Sequence, residues 1–265
     1  RPPSDALVID GRSAMLHAKE TIPVFLSKLS DERWDDFLQR MASRECVHAP
    51  RPTDFLSLFS CSSCAQLQAE MRWKRQRLSG SLAAVLGCSH IRLFSFYIPE
   101  GEPAASYRDA VMERLEQFRT AAQGSGVILC HENEKGIYGD TAARCADIHR
   151  TFPDIRAVFD PANFIQCGQE IPAAWEELAP YVEYMHIKDA LADGTVVPAG
   201  KGIGRLPWLL QRYTGQVLTL EPHLAVFSGL DKLEQAEHQT AMTACRYASS
   251  EEAFRAAADA LKALL

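Results

Sequence analysis

A chain of 265 residues with 47% hydrophobic content can bury a full core and has the usual size of one α/β barrel. Its net charge of −6 argues against a surface built for nucleic-acid phosphates and favours a small-molecule partner. The opening RPPSDALVIDGRSAML lacks the basic start and apolar core of a secretory signal, and no apolar run approaches the roughly 20 residues of a membrane span, so a cytoplasmic protein with no membrane partner is expected.

In chain order, ALVID (6 to 10) and ECVHA (45 to 49) are candidate strands, and MRWKRQRLSG (71 to 80) is a basic run with no clear core face. Cys61 and Cys64 form a lone CxxC with no second pair, so all eight cysteines read as reduced thiols, several of them small hydrophobes within apolar runs. The alternation becomes regular from about residue 81. IRLFSFY (91 to 97) reads as a strand, and YRDAVMERLEQFRTAAQ (107 to 123) as a helix that Gly124 and Gly126 stop. Strands follow at 126 to 133, 155 to 163, 182 to 189 and 216 to 224. Helices are expected at 141 to 152, 172 to 181, around LPWLLQRY and over SSEEAFRAAADALKALL, which opens with a serine N-cap followed by glutamates. Apolar strands separated by helices imply a parallel sheet covered on both faces. Only five strands are legible this way, whereas a closed (β/α)8 TIM barrel needs eight. The rest must come from residues 1 to 90. An incomplete or divergent N-terminal third, in a chain that begins with Arg instead of Met, is therefore an open alternative.

Four of these strands end in a metal-ligand residue: Glu132, Asp160, His186 and Glu221. They are separated by 28, 26 and 35 positions, close to the roughly 31 residues of one barrel repeat, and barrel strands converge at their C-terminal ends. Three gathered carboxylates would repel one another unless a cation neutralised them, and this oxygen-rich set suits Mn²⁺ or Mg²⁺, with Zn²⁺ or Co²⁺ acceptable through the imidazole. Open coordination positions could chelate a carbonyl and an adjacent hydroxyl, while Glu132 and Glu221 remove and return a proton.

The segments IRLFSFY, LCHENEKGIYGDTAARC, AVFDPANFIQCG, YVEYMHIKDA, VPAGKGIG and LTLEPHL together resemble the sugar phosphate isomerase/epimerase family of xylose-isomerase-like barrels. The resemblance covers residues 81 to 265. It implies one TIM-barrel domain over residues 1–265, with Glu132, Asp160, His186 and Glu221 as metal ligands and the two glutamates as the acid/base pair. The partner it implies is a ketose, sugar phosphate or polyol, with a homo-oligomer left open. Asn163 stands where ketohexose 3-epimerases of this family carry a substrate-contacting histidine, and His186 is followed by Ile187 and Lys188 instead of Gly-Glu, which points to a different sugar or polyol.

Lys188, on the inward side of its strand with His186, and Arg92, if it points into the barrel, are candidate substrate contacts, with a surface lysine at a strand exit as the alternative for Lys188 and pairing to an acidic neighbour as that for Arg92. Lys201, in the glycine loop, is a further candidate, although the loop lacks the GxxxxGK[ST] pattern of a nucleotide site. His131 and His223 are expected to pack on the opposite strand face, and Trp175 and Trp208 to lie in the helix–sheet layer. A keto-polyol dehydratase or lyase and a catalytically degenerate barrel are the competing readings. A three-metal DNA-repair nuclease is disfavoured, because only one histidine stands at a ligand position.

Overall fold

The computed structural model describes residues 89–224 and 247–265, together with strands at 7–10 and 55–57. Seven parallel strands form one sheet. They are β1 (Leu7–Asp10), β2 (Phe55–Ser57), β3 (His90–Leu93), β4 (Ile128–Glu132), β5 (Arg156–Phe159), β6 (Val182–Ile187) and β9 (Val217–Leu220), in the order β1-β9-β6-β5-β4-β3-β2. A short antiparallel pair, β7 (Asp189–Ala190) and β8 (Val196–Val197), follows β6. The first strand lies beside the last of the parallel series, pairing Leu7 with Val217 and Asp10 with Leu220, which is the wrap-around connection of a barrel.

The helices are α1 (Arg108–Ala122), α2 (Ala142–Thr151), α3 (Pro161–Gln166), α4 (Ile171–Leu178), α5 (Leu206–Leu210) and α6 (Ser250–Lys262). Their boundaries follow local chemistry. Beyond α1, Gly124 and Gly126 both take φ of 75°, a left-handed conformation that costs other residues energy. At the start of α6 the Ser249 hydroxyl accepts the Glu252 N–H at 3.1 Å, while Glu252 Oε2 accepts the Ala248 N–H at 2.7 Å.

Strand alternation separates two environments. Ile91, Leu93 and Leu129 face outward onto Val111, Met112 and Leu115 of α1. Phe159, Met185, Ile187, Leu218 and Leu220 join the helix–sheet layer around α3, α4, α5 and α6. On the inward face, Cys130, Val158 and Tyr184 form a small separate cluster with Ile128 and Val217 packed against it. The next inward residue is Glu132 on β4, Asp160 after β5 and His186 on β6, while on β9 Thr219 intervenes before Glu221.

The structure adjusts the sequence reading at two strands. The strand at 91 to 97 leaves the ladder after Leu93, because Phe96 turns out to stack on Phe118 of α1 and the Ser95 hydroxyl accepts the Gly139 N–H at 2.8 Å. ALVID forms β1 as anticipated, whereas ECVHA and the Cys61–Cys64 pair lie outside the described residues. The strand at Phe55–Ser57 was not anticipated. Trp175 is buried edge-on to Phe159 and Trp208 is half-buried beneath Arg212, the helix-layer roles expected. Among the described residues, no helix is long and apolar enough to cross a membrane.

Candidate metal centre

Each site residue is placed by the end of its own strand. Glu132 closes β4, and Asp160 follows β5 as the N-cap of α3, where its Oδ1 accepts the Asn163 N–H at 3.0 Å. His186 lies one residue inside the end of β6, and Glu221 immediately follows β9. One donor atom from each lies within 4.8 Å of the others. Glu132, Asp160 and His186 are buried, and the Glu221 side chain is 13% exposed.

The internal distances fit an ion at their centre. His186 Nδ1 lies 2.8 Å from Glu132 Oε1, 3.1 Å from Glu221 Oε2 and 3.9 Å from Asp160 Oδ2. For metal–ligand bonds of about 2.1 Å, octahedral geometry puts adjacent donors about 3.0 Å apart and opposite donors about 4.2 Å apart. Neither His186 Nδ1 nor Asp160 Oδ2 makes a hydrogen bond of acceptable geometry among the described residues. Apart from the Lys188 ammonium 2.9 Å from Asp160 Oδ2, these buried polar atoms converge without hydrogen-bonding one another, an arrangement that a cation would satisfy. Three carboxylate oxygens and one imidazole nitrogen are a donor set for a hard or borderline divalent ion.

Two buried cations partly neutralise the carboxylates. Arg92 donates to Glu132 Oε2, leaving Oε1 toward His186, and its guanidinium lies over the Phe94 ring at 4.5 Å. Lys188 Nζ stands 2.9 Å from Asp160 Oδ2 and 3.8 Å from Glu221 Oε2. Burial opposes the charged form of His186, but Glu132 and Glu221 outweigh it and push the imidazole up to about 10. Burial likewise opposes ionisation of Glu221 and Glu132. For Glu221 the opposing pull of His186 prevails, and for Glu132 that of Arg92 and His186, so both stay below the usual carboxylate range. Asp160 is raised, because burial exceeds the pull of Lys188.

The structure brings Arg92, Asn163 and Lys188 to the cluster and leaves Lys201 exposed on its loop. Arg92 takes up the acidic pairing that was the alternative to substrate contact. Asn163 Nδ2 donates to the Asn133 carbonyl at 2.8 Å, so this side chain ties the β4 end to α3. The glycine loop is folded onto a carboxylate of its own. Asp189, fully buried, accepts the N–H groups of Ala190, Gly200, Gly202 and Gly204 at 2.9 to 3.0 Å. A Cβ at Gly202 would lie 2.2 Å from the Ala190 carbonyl oxygen, and one at Gly204 2.6 Å from Asp189 Oδ1, so both positions need glycine. The amides of residues 200, 202 and 204 are therefore committed within the protein and are not a phosphate cradle.

Other residues of the centre escaped sequence reasoning. Asn133 donates from Nδ2 to the Asp160 carbonyl and accepts the Asp160 N–H at Oδ1, both at 2.9 Å, cross-linking the two strand ends that carry Glu132 and Asp160. Glu134, half-buried just past the end of β4, is pushed up to about 7 by burial against the pull of Lys188. Their one sequence signal was position, within two residues of a ligand. His223 also differs from expectation. Its φ of 45° turns the chain, and Nε2 comes within 3.8 Å of Glu221 Oε1 instead of packing away from it. His131 does pack behind the site, with Nε2 3.0 Å from the Ser95 hydroxyl.

A wrapped parallel sheet with helices outside and a three-carboxylate, one-imidazole centre at its strand ends defines an α/β barrel with a candidate divalent-cation site. The chain belongs to the xylose isomerase-like TIM barrel family, whose model matches residues 12–264. No curated protein is significantly similar in sequence. Among solved structures, the chain is similar to the IolI protein with a bound zinc atom, at 15% identity and a TM-score of 0.62 over 98% of this chain and 87% of that one. It is also similar to a xylose isomerase-like TIM barrel protein from Mycobacterium smegmatis in complex with magnesium, at 17% identity and 0.60 over 90% and 80%. A third is D-psicose 3-epimerase with D-tagatose from Clostridium cellulolyticum H10, at 16% identity and 0.59 over 90% and 84%. At these identities the likeness is one of fold.

Proposed function

We propose that this protein is a divalent-metal-dependent isomerase or epimerase of a ketose, sugar phosphate or polyol, acting by proton transfer next to a carbonyl. The observation that carries the reading is the convergence of Glu132, Asp160, His186 and Glu221 to within 4.8 Å at the strand ends. Neighbours of the same fold include a zinc-bound protein, a magnesium complex and a 3-epimerase, which agrees with it.

Glu132, Asp160, His186 and Glu221 would hold the ion, Mn²⁺ or Mg²⁺ by preference and Zn²⁺ or Co²⁺ by tolerance of the imidazole. Such an ion would supply Lewis-acid polarisation of a substrate carbonyl and stabilise the negative charge left by proton removal. The protein supplies the proton acceptors. Glu132 and Glu221 approach His186 Nδ1 with separate carboxylates, and their depressed proton affinities keep both ionised at neutral pH. Glu221 is the more open of the two and meets the substrate from the mouth, while Arg92 fixes the outer oxygen of Glu132. Lys188, buried beside Asp160, offers its ammonium to a substrate oxygen.

Incubating the Mn²⁺-loaded protein with ketoses and ketose phosphates in D₂O tests this. Deuterium should enter a carbon-bound position, and Glu132→Gln or Glu221→Gln should each abolish that entry. Exchange unaffected in either variant would remove that residue's role. A product lighter by one water would make the protein a dehydratase instead.

A further inference from the structure

Behind the metal centre, we infer a buried binding site for one small neutral molecule that both accepts and donates a hydrogen bond, a water molecule, held between the imidazoles of His131 and His149. The inference needs neither the ion nor a substrate.

His131, the residue before Glu132 on β4, is 1% exposed, and His149, on α2, is fully buried. Their rings are neighbours, with centroids 5.9 Å apart and planes at 68°, and Tyr181 stacks on His149 at 5.3 Å. Each ring uses one nitrogen in a hydrogen bond. The other two nitrogens, His131 Nδ1 and His149 Nε2, are buried and have no partner among the described residues.

The bonded nitrogens fix what the other two present. The Ser95 hydroxyl oxygen accepts the Gly139 N–H at 2.8 Å, and the acceptor within reach of its own proton is His131 Nε2 at 3.0 Å. Nε2 therefore accepts, which places the His131 proton on Nδ1. The Ile155 carbonyl, 2.9 Å from His149 Nδ1, can only accept, so that nitrogen carries the proton. Burial pushes His149 down to about 4, so at neutral pH its Nε2 presents a lone pair.

A buried donor on one ring thus stands beside a buried acceptor on the neighbouring ring. Unmatched, each would forfeit the hydrogen bond it makes to solvent in the unfolded chain. The N–H of His131 repels a cation, and the lone pair of His149 repels an anion. A water molecule suits both, accepting from the first and donating to the second, and two polar partners suffice to hold one in a protein interior. The outcome is one directed chain of hydrogen bonds from Gly139 through Ser95, His131, the water and His149 to Ile155, in which each bond polarises the next. It ties the strand that ends in Glu132 to α2 and to the entry of β5.

Diffraction from crystals of the protein at about 1.5 Å resolution tests this, together with nitrogen-15 NMR of the histidine rings at neutral pH, which reads the tautomers directly. One density peak with the weight of a water should lie about 2.7–3.2 Å from both His131 Nδ1 and His149 Nε2. Both histidines should be in the Nδ1–H tautomer. His149→Phe, which keeps an aromatic ring and removes the acceptor, should lose the peak. The inference is overturned by no peak in the parent, a peak that does not reach both nitrogens, an ion in its place, an Nε2–H tautomer at either histidine, or a peak that persists in His149→Phe. The parent crystal and spectrum decide the matter if that variant fails to fold.

Discussion

Loading the centre with a divalent ion should expel a proton, and His186 is its source. Without the ion, Glu132 and Glu221 raise His186 to about 10, so at neutral pH the imidazole is protonated and serves as the local cation. A metal ligand must be deprotonated, so the ion and the proton compete for Nδ1. Because the proton is held in the ion-free state up to about pH 10, apparent affinity should rise about tenfold per pH unit below that value. Between pH 7 and 8.5 this amounts to about 30-fold, or about 2 kcal/mol. Asp160, raised by burial, adds to the slope on the acidic side. Calorimetric titration with Mn²⁺ in buffers of different ionisation enthalpy measures the release directly, and about one proton per ion is expected. His186→Gln should bind the ion more weakly and without that release. Affinity independent of pH over this range, with heats independent of buffer, would refute the competition and the placement of His186 as a ligand.

Asn133→Ala removes the amide that bridges the β4 and β5 ends. It should lower unfolding free energy by about 1–3 kcal/mol and weaken Mn²⁺ binding at least tenfold, measured by urea melts and titration. Asp189→Ala leaves four backbone N–H groups without their acceptor. A loss of about 3 kcal/mol or more is expected, with faster hydrogen exchange at Gly200, Gly202 and Gly204. His149, fully buried with Nδ1 2.9 Å from the Ile155 carbonyl, is lowered to about 4 by burial. An unfolded histidine protonates near 6.5, so the unfolded state takes up the proton first as pH falls. Stability should therefore be fully present above about pH 6.5 and decline between there and about pH 4, by about 3 kcal/mol from this residue. His149→Gln should flatten that part of the profile of urea midpoints, and an unchanged profile would contradict the burial effect.

The four ligands were legible because two independent periods coincide on them. The repeat of strand and helix spaces the strand ends, and the alternation within a strand puts Glu132 above Cys130 and His186 above Tyr184 on the inward face. Reading failed where those periods stop. Asn133, Glu134 and His223 lie past the ends of β4 and β9, where no regular pattern says which way a side chain turns, and His223 turns on a left-handed φ. Asp189 was equally silent. Its role depends on three glycines 11 to 15 residues later, whose spacing resembles an anion loop until the anion is seen to be the protein's own. Arg92 shows the opposite case. Its inward position followed from parity, but only the geometry decided that it holds Glu132.

Diffraction from crystals soaked in Mn²⁺, with anomalous differences recorded near the manganese edge, tests the central claim most directly. One strong peak should lie about 2.0–2.3 Å from single atoms of Glu132, Asp160, His186 and Glu221. A peak elsewhere, or none at these four residues at saturating Mn²⁺, would contradict the metal centre and the proton-transfer chemistry built on it.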